Sequence, residues 1–194
     1  MLSQLVFLAI LIEIKMILTG SEIIKQVHRG TIFIDPFNID LVNPNSYNYR
    51  LGEYLIELKS KIIDLKRDQK FKRIKIPDNG YVLLPSKFYL GSTTEIIGSD
   101  KYVPSLIGRS SLGRLGLFLQ ITADLGHIGT KHRWTLELAC VQPIRIYSRM
   151  KIGQVSFWEP KGLNLLKGKK YINQKLNYSS FSDPKMSIFS KMLS

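Results

Sequence analysis

Short apolar runs separated by turn-forming residues dominate this sequence. The runs are rich in Ile, Val, Tyr and Phe, and Pro, Gly, Asn and Asp interrupt them at short intervals. About ten such runs with few helical stretches predict a mainly β protein, built as a sandwich, a jelly roll or a barrel. The predicted strands are Thr31–Ile34, Tyr54–Leu58, Phe71–Ile76, Tyr81–Leu84, Thr93–Ile97, Tyr102–Leu106, Leu117–Thr122, Trp134–Cys140, Ile144–Tyr147 and Gln154–Trp158.

One short helix is expected near the amino terminus. Thr19 followed three residues later by Glu22 fits a capping box, in which each side chain satisfies a free amide at the other position. Gly30 supplies a left-handed stop for this helix. Further along, Asp78-Asn79-Gly80 predicts a hairpin turn. The apolar face of the helix would consist of Ile23, Ile24 and Val27.

Length, cysteine count and charge limit the class of protein. The 194 residues predict one domain, at about 150 residues per domain. A single cysteine, Cys140, excludes a disulfide framework and a multi-cysteine metal site, and the three histidines cannot complete a zinc deaminase site of the His/Cys/Cys type. The 28 Lys and Arg against 15 Asp and Glu give a net charge of +13, which indicates an anionic partner. Nucleic acid, a membrane or a phosphorylated small molecule would each fit.

Three segments differ in composition. Residues 1–15 form an apolar extension whose run Leu5–Ile12 is too short to span a bilayer, which takes about 20 residues. It is interpreted as an extra amphipathic or buried element, or as an extension upstream of a start at Met16, with a weak membrane anchor as the alternative. Residues 16–160 would form the β domain, and residues 161–194 a basic tail that closes over the active site. No segment resembles a targeting signal, so we expect a cytoplasmic protein without a membrane span.

A basic stretch runs from Lys59 to Lys75. It would fit a nucleic-acid surface, but Phe71 is its only aromatic residue, and stacking on single strands needs several. Lysines also protect exposed sheet edges, so a solvated edge of the sheet is the favoured interpretation.

The segment Gly108–Gly116 carries two arginines, two adjacent serines and three glycines. Glycine lets backbone amides approach an anion, hydroxyls donate hydrogen bonds, and guanidinium groups fit phosphate oxygens. The segment is not a P-loop, because no Gly-Lys-Ser/Thr ending is present. A phosphate-binding loop is favoured over a structural turn with solvated arginines.

The run Trp134–Cys140 places Glu137 in the middle of an apolar strand. Because side chains alternate along a strand, Leu136 would face one side, and Thr135 and Glu137 the other. A carboxylate there could act as a general acid/base, or it could simply face solvent on a one-sided sheet. Gln154 could read a base edge and Lys170 could close over phosphates, although polar surface residues are the usual explanation for both.

These segments, in this order, resemble the dCTP deaminases of the trimeric dUTPase superfamily. The similarity covers about Met16 to Gln174 and leaves residues 1–15 outside the family core. Its most specific motif is Arg109–Gly116. The other matching motifs are Met16–Thr19, Ile34–Phe37, Pro44–Tyr47, Arg50–Gly52, Ile121–Ala123, Thr135–Leu138, Ile152–Gln154 and Lys170–Tyr171.

The resemblance implies a distorted β-barrel or jelly roll of the dUTPase-like, β-clip type with a short N-terminal helix. It also implies a homotrimer with active sites at the subunit interfaces, and deamination without zinc. Glu137 would be the general acid/base, with Ser110 and Arg114 as further catalytic residues and Mg²⁺ bridging the triphosphate oxygens. The implied nucleotide-binding residues are Arg109, Ser110, Ser111, Leu112, Gly113, Arg114, Ala123, His127, Thr135, Leu136, Glu137, Gln154, Lys170 and Gln174.

Departures from the family pattern bear on the product. His127 stands where family members carry an aspartate, which in dUTPases and bifunctional relatives contacts the sugar or activates the hydrolytic water. Asn48 also replaces an aspartate, a tyrosine expected before Lys170 is missing, and the usual Gly-Pro does not follow Gln174. The change at His127 favours a deaminase that stops at dUTP.

Four functions therefore follow from the sequence. The main prediction is deamination of dCTP to dUTP and ammonia in pyrimidine deoxynucleotide synthesis, with possible feedback by dTTP. The alternatives are a bifunctional deaminase and diphosphatase that gives dUMP and pyrophosphate, and a divergent nucleotide-binding protein without activity. A nucleic-acid-binding β protein, which rests only on charge, is the fourth, and no specific nucleic-acid partner is expected.

Overall fold

The computed structural model describes residues 17–119, 122–162 and 183–187. The predicted extension 1–15 and most of the predicted tail 161–194 lie outside these ranges. The helices are α1 (Gly20–His28) and α2 (Ser110–Gly113), with a 3₁₀ turn at Ile39–Leu41. The strands are β1 (Ile32–Asp35), β2 (Val42–Asn43), β3 (Ser46–Arg50), β4 (Tyr54–Leu58), β5 (Phe71–Lys75), β6 (Tyr81–Leu83), β7 (Tyr89–Ser92), β8 (Ile96–Ser99), β9 (Val103–Gly108), β10 (Leu117–Leu119), β11 (Lys131–His132), β12 (Thr135–Cys140), β13 (Ile144–Ile146) and β14 (Lys151–Trp158).

The described strands form four antiparallel sheets, so the prediction of a mainly β protein is confirmed. The largest has five strands in the order β10-β12-β7-β4-β5, and a four-stranded sheet has the order β2-β3-β14-β9. A three-stranded sheet, β1-β8-β11, and a two-stranded sheet, β13-β6, complete the architecture. Most neighbours in these sheets are far apart in sequence, as when β14 pairs with β3, so long-range contacts define the fold.

Both large sheets bury one face in a common hydrophobic core. In the five-stranded sheet, Leu136 and Leu138 of β12 pack inward with Leu55 of β4. In the four-stranded sheet, Tyr49 and Phe157 are fully buried. The Tyr49 hydroxyl donates to the carbonyl oxygen of Ile107 at 3.0 Å, so this buried phenol keeps a hydrogen-bond partner. The opposite face of the five-stranded sheet, here called the outer face, carries Glu137.

Helix α1 lies where the sequence predicts a helix, but the prediction of a capping box is wrong. The Thr19 hydroxyl pairs with the Ser21 hydroxyl at 3.1 Å instead of an amide of the first turn. Glu22 accepts a hydrogen bond from Gln26, one turn further along the helix, at 2.5 Å. The stop at Gly30 is confirmed, because this residue has a φ of 72°.

The turn at Asp78-Asn79-Gly80 forms, but it does not close a hairpin. Gly80 has a φ of 85°, and its amide donates to the Pro77 carbonyl oxygen at 2.8 Å. The strands on either side, however, belong to different sheets, because β5 pairs with β4 and β6 pairs with β13. The local sequence therefore predicts the turn correctly, whereas long-range pairing determines which strands β5 and β6 bind.

The basic stretch Lys59–Lys75 comprises the link between β4 and β5, followed by β5 itself. Strand β5 is an edge of the five-stranded sheet, and all of its side chains except Ile74 are exposed. The prediction of a solvated sheet edge is therefore confirmed. In the described part of the chain, no helix is long and apolar enough to cross a membrane.

The predicted strand Thr93–Ile97 begins too early. Thr93 and Glu95 lie before β8 and are buried polar residues that fix the link from β7. The Thr93 hydroxyl donates to the Glu95 carbonyl oxygen at 2.7 Å. The Glu95 carboxylate accepts hydrogen bonds from the Arg50 side chain at 2.6 Å and from the Arg50 backbone amide at 2.9 Å. These contacts tie the end of β3 to the start of β8.

Candidate active site

Strand β12 positions the glutamate that the sequence singles out. Leu136, Leu138 and Cys140 are buried, whereas Thr135, Glu137 and Ala139 are only partly buried, so the predicted alternation is confirmed. Glu137 lies opposite Leu90 of β7 on the outer face. Its side chain is therefore only partly exposed to solvent.

The loop after β10 supplies a partner for this carboxylate. The Thr122 hydroxyl donates to Glu137 Oε2 at 3.1 Å. A hydroxyl donor in this position helps to fix the orientation of the carboxylate. The sequence motif Ile121–Ala123 includes Thr122, but it does not predict this contact with Glu137.

The same loop contains the turn that carries His127. His127 is exposed, and its carbonyl oxygen accepts a hydrogen bond from the Thr130 hydroxyl at 2.7 Å. Asp124, three residues earlier, is held at the β9 edge, because its carboxylate accepts from the Ser105 hydroxyl at 3.1 Å. Ala123 precedes it and is exposed. The loop is therefore anchored at Asp124 and presents Ala123 and His127 to solvent.

The arginine- and serine-rich motif forms a single helical turn after β9. The amides of Leu112 and Gly113 donate to the Arg109 carbonyl oxygen at 2.9 and 3.0 Å, so they are used within the turn. Ser110, Ser111 and Arg114 are exposed. The hydroxyl and guanidinium groups of these side chains therefore offer most of the anion-binding capacity of this turn.

The Leu112 side chain packs against the core, which anchors the turn. Gly116 ends it with a φ of 81°, and its carbonyl oxygen accepts from the Val141 amide at 3.0 Å. This bond fastens the motif to the residue that follows β12. Predicted roles for Leu112 and Gly113 in nucleotide binding stay predictions.

Gln154 lies in the other large sheet. On β14 it is opposite Asn48 of β3 and Ile107 of β9. Its side-chain oxygen accepts from the Ser46 hydroxyl at 3.0 Å. Because β9 continues directly into Arg109, Gln154 and the arginine turn lie at the same end of this sheet.

Asn48, which replaces the family aspartate, has a structural role. It is buried, and its amide nitrogen donates to the Leu41 carbonyl oxygen at 3.1 Å and to the Asn43 side-chain oxygen at 2.9 Å. A carboxylate could not donate either bond, so the asparagine suits these surroundings.

A cleft that sequence reasoning missed opens beside Thr135. It has a volume of about 490 Å³ and is lined by three arginines, Arg50, Arg133 and Arg149, together with Ser92. Ser92 is the cross-strand neighbour of Thr135, so the cleft begins next to the glutamate strand. Its volume lies within the range of small-molecule sites, about 300–1,000 Å³. No local sequence signal marks it, because its lining comes from six separate parts of the chain.

The predicted site residues therefore fall into two groups. Thr135 and Glu137 lie on the outer face of the five-stranded sheet, whereas Arg109, Ser110 and Gln154 lie at one end of the four-stranded sheet. Lys170 and Gln174 lie outside the described residues. Among the residues that are described, no group of three or more His, Cys, Asp and Glu side chains is placed to hold a metal ion.

A family model described as dCTP deaminase-like matches residues 17–160. The chain belongs to this family. The resemblance seen in the sequence is thereby confirmed, and the match covers both groups of described site residues.

Several curated proteins are similar over most of their length. One named "dCTP deaminase, dUMP-forming" from Hathewaya histolytica is 48% identical over 147 residues, which is 76% of this chain and 85% of that protein. Another of the same name, from Clostridium beijerinckii, is 46% identical over 161 residues, covering 82% of this chain and 92% of that protein. A "dCTP deaminase" from Rhodopirellula baltica is 44% identical over 147 residues, covering 76% of this chain and 74% of that protein.

A solved structure shares the fold. The crystal structure of 2'-deoxycytidine 5'-triphosphate deaminase from Agrobacterium tumefaciens matches with a TM-score of 0.60 at 18% identity. The match covers 80% of this chain and 54% of that one, so this chain spans about half of its length.

Proposed function

We propose that this protein deaminates dCTP and then releases pyrophosphate, so that the product is dUMP. The overall reaction consumes two waters: one replaces the amino group, which leaves as ammonia, and one cleaves the triphosphate between the first and second phosphates. This is the bifunctional alternative of the sequence prediction. It replaces the main prediction of dUTP because relatives at 46–48% identity are named dUMP-forming.

The position of Glu137 carries the deamination half of the proposal. Its carboxylate is half-buried on the outer face and accepts a hydrogen bond from Thr122 at 3.1 Å. In the proposed reaction Glu137 takes a proton from water, and the hydroxide attacks the ring carbon that bears the amino group. The same carboxyl then protonates the amino group, which leaves as ammonia. One carboxylate thus serves both proton transfers, as general base and then as general acid.

The exposed arginine turn supports binding of the triphosphate. Arg109, Ser110 and Ser111 would bind phosphate oxygens, while Ser110 and Arg114 would stabilise the attacking water and the developing charge. Mg²⁺ would reach the site on the triphosphate oxygens and neutralise part of their charge. Feedback by dTTP, which carries the same triphosphate, remains part of this proposal.

The separation of the site residues into two groups supports a shared site. The arginine turn joins β9 of the four-stranded sheet to β10 at the Cys140 end of β12, whereas Glu137 lies in the middle of β12 on the outer face. The family resemblance implies a homotrimer of β-clip barrels with interfacial sites. We therefore propose that the Glu137 face of one subunit is completed by the arginine turn of a neighbour. In such an assembly the neighbour would cover the Glu137 side chain, which is only partly buried within one chain.

The second hydrolytic step, which cleaves the triphosphate, needs a base that activates its water. His127 occupies the position where family members carry an aspartate, it is exposed, and histidine is the side chain most often used for proton transfer. We propose that His127 serves the pyrophosphate-releasing step. Asp124 is the competing candidate in the same turn, but its carboxylate is bound to Ser105.

Chromatography of the nucleotides tests both steps of the proposed reaction, deamination and the release of pyrophosphate. The purified protein is incubated with dCTP and Mg²⁺, and nucleotides are separated by anion exchange. We expect dUMP, pyrophosphate and ammonia in equal amounts. A stable dUTP peak would reject the second half of the proposal, and unchanged dCTP with a folded protein would reject both.

Two variants test which residue serves each step of the reaction. Glu137→Gln should lower kcat by about 10²- to 10⁴-fold while dCTP still binds, because a general acid/base contributes that much and the amide keeps the shape. His127→Ala should accumulate dUTP. Glu22→Gln, a surface change on α1, is the matched control and should behave as the wild type.

A further inference from the structure

Residues 183–187 form a short strap that returns to the sheet carrying Glu137. At one end the Asp183 carboxylate accepts from an Arg73 guanidinium nitrogen at 2.9 Å. At the other end the Lys185 backbone amide donates to the Thr135 hydroxyl oxygen at 3.2 Å. Pro184, between the two contacts, is buried.

The register of the sheet shows what the strap crosses. Arg73 lies opposite Ile56, Ile56 opposite Leu90, and Leu90 opposite Glu137, so these four residues form one row across β5, β4, β7 and β12. Neighbouring strands are about 4.8 Å apart, so this row is about 14 Å long. Three residues of extended chain and a long arginine side chain together cover that distance.

Burial on the outer face agrees with this path. Ile56 and Leu90 are only 5% and 9% exposed, although they face away from the main core. The buried Pro184 belongs to the segment that crosses this part of the sheet. We infer that the strap covers these two side chains and reaches Thr135 two residues from Glu137.

Arg73 is itself held in place. Its guanidinium carbon lies 3.7 Å above the ring centre of Tyr54, a cation–π contact that fixes the plane of the guanidinium group. Tyr54 and Asp183 also line the cleft of about 490 Å³ beside Thr135. One edge of the cleft is therefore built by the strap.

We propose that Arg73 is a positioning residue for the base pocket. It binds Asp183 and thereby places the Pro184–Lys185 backbone against Thr135, where the strap forms a wall of the pocket beside Glu137. The Thr135 hydroxyl accepts the Lys185 amide, which leaves its own proton free to donate into the pocket. This inference rests on the proposed function, since that function assigns Thr135 to the pocket.

Charge reversal tests the strap. Arg73→Asp should raise KM for dCTP by about five- to 25-fold with kcat nearly unchanged. Loss of a half-exposed ion pair is worth up to about fivefold, and repulsion between two aspartates multiplies this by a similar factor. The pair Arg73→Asp with Asp183→Arg should restore KM. The control is Arg67→Asp, which breaks an exposed pair of 3.3 Å with Asp64 in the link between β4 and β5. It should leave KM unchanged.

Hydrogen exchange of the Lys185 amide gives a second readout that needs no turnover. Exchange should be faster in Arg73→Asp and return to the wild-type rate in the double variant. An unchanged exchange rate or an unchanged KM would overturn the proposal. A lower KM would also overturn it, because the strap would then obstruct the nucleotide. If the wild type neither turns over nor binds dCTP, the proposed function and the pocket role fail together, and hydrogen exchange still decides whether Arg73 holds the strap.

Discussion

Glu95 provides the most direct test of the forces that hold this fold together. Its side chain is fully buried, and its two oxygens accept hydrogen bonds from Arg50 at 2.6 and 2.9 Å. Glu95→Gln keeps the shape but removes the charge and places an amide donor where an acceptor is needed. The Arg50 guanidinium would then lose its anionic partner in the interior.

The expected loss follows from these contacts. Two hydrogen bonds to a charged group contribute about 1.5–3 kcal/mol each, and breaking a buried ion pair from one side costs about 3–5 kcal/mol. Because the Arg50 side chain is 25% exposed and can be partly hydrated, we expect the lower end, about 3 kcal/mol. For a chain of this size that corresponds to a fall in melting temperature of about 6–12 °C.

Urea denaturation at one fixed protein concentration measures this loss, with the slope m checked for constancy. Arg67→Gln, which breaks an exposed pair, is the control and should change the free energy of unfolding by less than about 0.5 kcal/mol. The double variant Arg50→Met with Glu95→Leu should recover part of the loss, because apolar residues can replace the pair of side chains while the Arg50 backbone amide loses its acceptor. A loss below about 1 kcal/mol for Glu95→Gln would refute the reasoning.

Two further predictions concern buried side chains. Burial lowers the pKa of His132, whose Nδ1 has no hydrogen-bond partner among the described residues. The folded chain therefore resists a proton that the unfolded chain takes up below about pH 6.5. The free energy of unfolding should therefore fall from pH 7 to pH 5, and His132→Phe should reduce that slope in urea titrations at each pH. Gly153→Ala should lower stability by about 1–3 kcal/mol, because a Cβ would overlap the Tyr49 ring; pairing it with Tyr49→Leu should recover part of the loss in thermal melts, and no recovery would contradict the steric explanation.

Some of the predicted strands have nearly the observed bounds. Tyr54–Leu58 has the predicted bounds as a short apolar run, although three consecutive side chains of this strand are buried. Strand β12 differs from its prediction by one residue, because its apolar and polar positions alternate and only one face is buried. Strand β3, Ser46–Arg50, was missed. Its first four side chains are all buried, polar and aromatic alike, so it has no period of two. The hydrogen bonds that make this possible come from other parts of the chain.

The candidate site, like the fold, was predicted only where its residues lie close together in the sequence. Motifs within a few residues of one another, such as the arginine turn and the Glu137 strand, could be found by their spacing. The contact of Lys185 with Thr135 and the contact of Ser105 with Asp124 join residues that are distant in sequence, so no local pattern indicates them. The dUTP prediction rested on the substitution at His127, and no local pattern shows which side chain of that turn could act as the base for the second step.

The alternation along β12 has an evolutionary consequence. Leu136 and Leu138 face the core while Thr135 and Glu137 face the outer side, so insertion or deletion of one residue would exchange the two sets. A leucine would then take the place of Glu137 on the outer face, and the Glu137 carboxylate would be forced into the interior. The strand can therefore change in length only by two residues at a time. Point substitution is therefore the route by which the outer face of β12 could change, so the outer and the core residues of this strand must evolve under one shared constraint.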